Sequence, residues 1–150
     1  MAVSLHTYYL IEKMNCSAAT QSQVALHLMI DHLAQAVRKK TIHTQIVNAI
    51  SPDLSVNTGT QAIAAVIETV MTAALPDIYK GLVRISAKKY SNVVLLHFKG
   101  PSALDYPAAV NCLSPFQELV KKLTGHLSVT SRRNDITTVA LTFINNPLAA

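Results

Sequence analysis

The chain has no tryptophan, and its three phenylalanines and five tyrosines do not interleave with its basic residues. A platform that stacks the bases of single-stranded nucleic acid needs that interleaving, so the composition argues against one. Cysteine is almost as scarce. Cys16 and Cys112 stand alone, without the close spacing of a metal site, and free, buried thiols are expected rather than a disulfide. Charge is sparse too: 14% of the 150 residues are Asp, Glu, Lys or Arg, while 50% are hydrophobic. Such a chain buries a core instead of staying disordered, and its length suits one domain hiding roughly two-thirds of its unfolded surface. The longest apolar run, Ala62 to Leu75, contains Glu68 and is shorter than the roughly 20 residues that span a bilayer. No membrane insertion is expected. The opening MAVSLHTYYLIEK lacks a basic leader followed by an apolar run, so no secretory signal and a cytoplasmic location are expected.

What the sequence does contain is organised around Gln61 to Gly100. Ala62, Ile63, Val66, Ile67, Val70, Met71, Ala74 and Leu75 recur with helical period in a wide apolar stripe. Pro76 is expected to stop that helix. The period then changes to two: Val83, Ile85 and Ala87 alternate with Arg84, Ser86 and Lys88 up to a polar tip at Lys89–Asn92. Val93 to Leu96 begins a returning strand that ends at Gly100-Pro101. Ahead of this core, residues 5–16 suit a strand or extended arm, residues 1–9 being the arm proper. A helix is expected from about Gln23 to Lys40, with Leu26, Ile30, Leu33 and Val37 on its buried stripe, widened by Val24, Leu28 and Met29. Short extended pieces follow at Thr41–Ala49 and Leu54–Thr58. Behind the core come a helix entered at Ser114-Pro115, a stop at Thr124-Gly125-His126, and two alternating strands joined at Arg132–Asp135. Residues 147–150 read as a tail. Helices segregate from a mixed sheet, so the class is α+β, a two-layer sandwich with three helices on one sheet and one domain over residues 1–150.

This order of elements resembles the catalytic ATP-binding domain of sensor histidine kinases, in the gyrase, chaperone and histidine-kinase ATPase superfamily. The resemblance covers about residues 10–146 and rests on four stretches. KKTIHTQIVNAISPDLSVNTGTQ resembles the strand–turn–strand lead-in, and AIAAVIETVMTAAL the asparagine-bearing helix. VVLLHFKGPSAL resembles the strand entering the first glycine box, and ELVKKLTGHLSVTSRRNDITTVALTFINNP the closing helix and terminal hairpin. In such domains an Asn, with Glu or Asn four residues ahead of it, faces the magnesium that bridges the phosphates. The matching positions here are Ala73 and Thr69, and a methyl group cannot ligate magnesium. Glu68 is out of step by one residue, roughly 100° around the helix. The aspartate that accepts the adenine amine is matched by Phe98, and the two glycines that follow it by Gly100 and Ser102. Ala109–Leu113, where the phosphate-wrapping box belongs, has no glycine, and Ser102–Val110 is short for a lid over a triphosphate. The resemblance therefore implies a degenerate nucleotide cradle. It would bind no ATP, hold no metal or cofactor, have no catalytic residue, and act as a regulatory or interaction module in bacterial two-component-type signalling. The alternative is a divergent but functional ATP-binding domain of a sensor kinase or phosphotransferase, using ATP and magnesium.

Other residue groups have plainer readings. His27, Asp31 and His32 could be a metal or phosphoacceptor cluster, but polar residues rimming an amphipathic helix is the favoured reading. His97 reads as a sheet residue and His126 as part of the helix stop. No nucleophile-elbow spacing supports a Ser-His-Asp set. The net charge of +5 permits an anionic partner without requiring one, and a nucleic-acid partner would rest on that charge alone. Lys88, Lys89, Arg132 and Arg133 are expected at hairpin tips on the sheet end away from Gly100, a basic rim for an acidic protein partner or polyanion. Leu5–Ile11 could pair with an edge strand of a second copy, giving a homodimer.

Overall fold

A computed structural model describes residues 23–40, 44–57, 61–122, 124–132 and 135–144. The expected strand over residues 5–16, the pairing segment Leu5–Ile11, Cys16, Arg133 and the tail at 147–150 lie outside them.

The first described element differs from the expectation. Gln23–Ala25 does not open a helix; it is a short strand, β1, antiparallel to β3 (Ser55–Asn57), with Val24 opposite Val56. Helix α1 then runs Leu26–Lys40, its first residue donating its N–H to the Leu54 carbonyl at 3.0 Å. Leu26, Ile30, Leu33 and Val37 are fully buried along it, each burial stabilising by about 1.5–3 kcal/mol. Leu28, expected to flank this stripe, is 64% exposed. Two residues on from Leu26 it points roughly 200° away, toward solvent.

The main sheet has five strands in the order β2-β4-β5-β7-β6. Strand β2 (Thr44–Asn48) is parallel to β4 (Gly81–Tyr90), whereas β5 (Val93–Pro101), β7 (Ile136–Ile144) and β6 (His126–Arg132) add on antiparallel. Alternation sends Val83, Ile85, Leu96, Phe98, Val139 and Leu141 to one face, where all are buried. That face is covered by α1, by the central helix, and by α4 (Tyr106–Leu113) with α5 (Gln117–Lys122), joined through a 3₁₀ turn at Ser114–Phe116. The fold is an α+β two-layer sandwich.

The central helix does not stop at Pro76. Helix α2 (Gln61–Thr69) widens into a π-helical turn, Val70–Ala74, and resumes as α3 (Leu75–Ile78). At the end of the wide turn the Leu75 N–H reaches back five residues to the Val70 carbonyl. Pro76 thus falls in the first turn of a fresh α segment, where its missing N–H leaves no bond unmade. Thr69 and Thr72 each donate a hydroxyl to the carbonyl four residues back, at 2.8 and 2.9 Å, along the same stretch.

Gly125 also has a different cause from the expected one. The positive φ of the helix stop, 57°, belongs to Thr124, while the Thr124 and Gly125 N–H groups cap Lys121 and Val120. Glycine is required one residue later because a Cβ there would lie 2.5 Å from the Thr142 carbonyl oxygen of β7.

A polar clasp ties α1 to the end of β2. Asn48 donates its amide to the His27 carbonyl at 2.8 Å and to Asp31 Oδ1 at 2.9 Å, and its own oxygen accepts the Ile50 N–H at 3.1 Å. His27 Nδ1 donates to the Ile50 carbonyl at 3.0 Å, and Nε2 lies 3.3 Å from Asp31 Oδ2. Replacing Asn48 with alanine removes three of these bonds while leaving their partners part-buried, so urea denaturation should show a loss of about 2 kcal/mol.

Candidate functional site

Of the five positions matched to the nucleotide cradle, four are engaged in the fold and Ala73 is not. Thr69 is half-buried with its hydroxyl bonded to Ala65, and Ala73 is exposed on the π turn. Phe98 points from β5 into the core and is fully buried. Gly100 is buried two residues further on, where a Cβ would meet the Leu82 carbonyl oxygen at 2.6 Å and the Tyr79 ring at 3.3 Å. The Ser102 hydroxyl donates to the Leu104 carbonyl and accepts the Leu104 N–H at 3.2 Å.

Tyr79, which no sequence pattern singles out, touches two of these positions, Phe98 and Gly100. It follows α3 and is 1% exposed. Its hydroxyl donates to the Phe98 carbonyl at 2.6 Å, with the Thr137 carbonyl 3.0 Å away. Burial pushes this phenol well above its usual range, partly offset by a backbone hydrogen bond from Val139. A group so placed is a structural donor with no proton to give up. Beyond Gly100 the chain is stapled down. Lys80 donates to the Pro101 carbonyl at 3.1 Å, Ala103 to Ile78 at 2.7 Å, and Ser102 to Asp135 at 2.7 Å. Asp105 then caps α4, accepting from the Ala108 N–H at 2.9 Å. Helix α4 packs onto the central helix, its half-buried Cys112 thiol 4.0 Å from the Ala74 carbonyl. Burial and then the nearby charge of Asp77 raise the pKa of that thiol, which keeps it in its unreactive protonated form.

The basic rim does not form as expected. Lys88 and Lys89 pair with Leu95 and Val94 near the tip of the β4–β5 hairpin. Arg132 pairs with Ile136, which in turn faces Pro101, so it lies at the Gly100 end of the sheet, opposite to the lysines. The reason is topological: β7 runs antiparallel to β5, which carries the β6–β7 tip back to the end of β5. Arg132 instead shares the open sheet face with Arg84 and Lys99, in a concavity also lined by Ser86, His97, Ser128, Thr130 and Thr138. The alternation of β4 had already placed Arg84 off the core; only its pairing with Lys99 was missing.

Among the described residues, no three His, Cys, Asp or Glu side chains gather as a metal site, and no helix is long and apolar enough to cross a membrane.

No protein-family model matches the chain, and no curated protein matches it. Solved structures do. The Acinetobacter baumannii histidine kinase AdeS superposes with a TM-score of 0.65 at 13% identity, over 95% of this chain and 76% of that one. The histidine kinase domain of the Erythrobacter litoralis EL346 blue-light activated kinase gives 0.64 at 17% identity, over 93% and 71%. The catalytic domain of histidine kinase ThkA gives 0.60 at 12% identity, over 85% and 99%. At these identities the likeness speaks to architecture, and the chain has the histidine-kinase-type ATPase fold.

Proposed function

We propose that this domain keeps the histidine-kinase ATPase architecture without its nucleotide, and serves as a regulatory or protein-interaction module in a two-component-type signalling system. The observation that carries the reading is Phe98. The position matched to the adenine-accepting carboxylate holds a fully buried aromatic ring, with its carbonyl bonded to Tyr79. Support comes from the neighbouring positions. A methyl group stands at Ala73, Gly100 abuts the Tyr79 ring, and the start of the segment matched to the lid is bonded to Ile78 and Asp135. A mobile lid needs few such bonds.

Thermal unfolding with and without magnesium and ATP tests this. Nucleotide at 1 mM and a Kd of 10 μM would stabilise by about 2.7 kcal/mol. For a domain of this size that is a rise of about 5–10 °C. The expected result is no rise. A rise of that size, kept when the open-face residue Lys99 is changed to glutamine, would instead favour the divergent but functional kinase domain.

A further inference from the structure

We infer that the open face of the main sheet is a binding site for a compact phosphoryl-bearing anion. The site lies on the opposite side of the sheet from the helices, so it is separate from the nucleotide cradle and independent of the regulatory reading above.

Three observations meet there. The first is charge. Arg84 and Lys99 are directly paired across β4 and β5, an arrangement of like charges that destabilises a sheet unless something offsets it. Arg132 lines the same concavity from β6, and no carboxylate lines it. The ion pairs among the described residues, His27–Asp31 and Lys121–Glu118, lie elsewhere. The second is the supply of neutral donors. Register sets Thr138 beside Lys99 and Thr130 beside Thr138, while Ser86 and Ser128 belong to the adjoining row through His97 and Ala140. None of these four hydroxyls is hydrogen-bonded to another described residue. Cations on two sides with free hydroxyls between them suit a tetrahedral oxyanion, which has acceptor oxygens for both kinds of donor. The third is size. The concavity has a volume of about 330 Å³, room for one or two phosphoryl groups and a small organic remainder. Its lining has no Phe, Tyr or Trp on which a base could stack, which disfavours single-stranded nucleic acid as the occupant. On the β2 side the row ends at Val47, opposite Arg84 and 38% exposed, an apolar margin for the organic part of a phosphate ester.

Inorganic pyrophosphate is the probe, added to the isotope-labelled full chain at constant ionic strength and followed by amide chemical shifts. Saturable shifts centred on Arg84, His97, Lys99, Thr130 and Thr138 are expected. Arg84→Gln and Lys99→Gln should each weaken binding about tenfold, the usual scale for one charge-assisted hydrogen bond. Lys121→Gln, on α5, removes the same charge at a distance and should leave the affinity unchanged. Because Arg84 and Lys99 oppose each other, each open-face variant should melt at or above the parent temperature, so weaker binding cannot be ascribed to unfolding. Shifts spread over all surface lysines, or equal affinities for the open-face and control variants, would overturn the inference. Shifts at Ala73 and Phe98 that survive Lys99→Gln would also overturn it, placing the anion in the cradle.

Discussion

Phe98→Asp is expected to unfold the domain at room temperature. On the proposed reading the substitution supplies the carboxylate matched to this position, so a working nucleotide site would gain from it. Here Phe98 is fully buried, packed among core residues of the sheet. Removing a buried Phe side chain costs about 3–5 kcal/mol through lost transfer energy and the cavity left behind. A carboxylate placed there without a cation adds several kcal/mol of desolvation, or must take up a proton. Among the described residues no ion pair lies in this part of the core. The sum rivals the entire stability of a domain, about 5–15 kcal/mol. Phe98→Leu keeps the position apolar and should cost only about 1.5 kcal/mol. Ala73→Asn places the amide matched to the magnesium ligand on an exposed position, and should fall within about 0.5 kcal/mol of the parent. Urea unfolding followed by circular dichroism ranks the three. The two positions therefore differ in kind: an asparagine in place of Ala73 fits at little cost, whereas a carboxylate in place of Phe98 does not. A Phe98→Asp protein that remained folded and bound ATP would show that Phe98 had merely covered a working site.

Much of this architecture is legible in the residues, and the failures share a cause. The stripe of Leu26, Ile30, Leu33 and Val37 declares α1, and the alternation of Val83, Ile85, Leu96 and Phe98 declares which sheet face meets the helices. Local pattern suffices for both. Pro76 misleads because a proline read alone signals a stop, whereas the five-residue reach from Leu75 to Val70 lets a fresh α segment begin at the residue before it, with Pro76 in its first turn. Gln23–Ala25 misleads because its pairing with Ser55–Asn57 joins distant segments. The charged residues show the same division. Once Ser91-Asn92 is taken as a two-residue turn, with its Ser91 φ of 55°, Tyr90 must pair with Val93 and Arg84 with Lys99. That much follows from one hairpin. Where Arg132 falls requires the order of β5, β7 and β6, which no local signal carries, so hairpin tips taken one at a time suggest a rim whose two halves the sheet keeps apart. Tyr79 was invisible for a related reason: its partners, Phe98 and Thr137, lie 19 and 58 residues away.

Gly100→Ala is expected to cost about 3 kcal/mol, near the upper end of the overpacking range. In a nucleotide-binding cradle a glycine here lets the backbone approach the ligand, and adding a methyl group would weaken ligand binding while sparing the fold. The surroundings of Gly100 point the other way. Its φ lies outside the left-handed region that favours glycine, so the demand is for space. The added Cβ would lie 2.6 Å from the Leu82 carbonyl oxygen, and 3.3 Å from both the Tyr79 ring and Val83 Cα. A ring can rotate aside; Leu82 and Val83 cannot, because their backbone is held in the β2 ladder, opposite Gln45 and Ile46. Shifting them strains that ladder and, one residue on, the hairpin pairing that begins at Arg84 and Lys99. Trimming the ring therefore should not rescue the variant: Tyr79→Leu combined with Gly100→Ala should be at least as unstable as Gly100→Ala alone, since the backbone clash persists and the hydroxyl bond to Phe98 is lost as well. Denaturant midpoints of the parent, the two single variants and the double variant decide the matter. If Gly100→Ala were as stable as the parent, the tight approach of β4 would not be what this glycine serves, and a ligand-facing role would have to be taken up again.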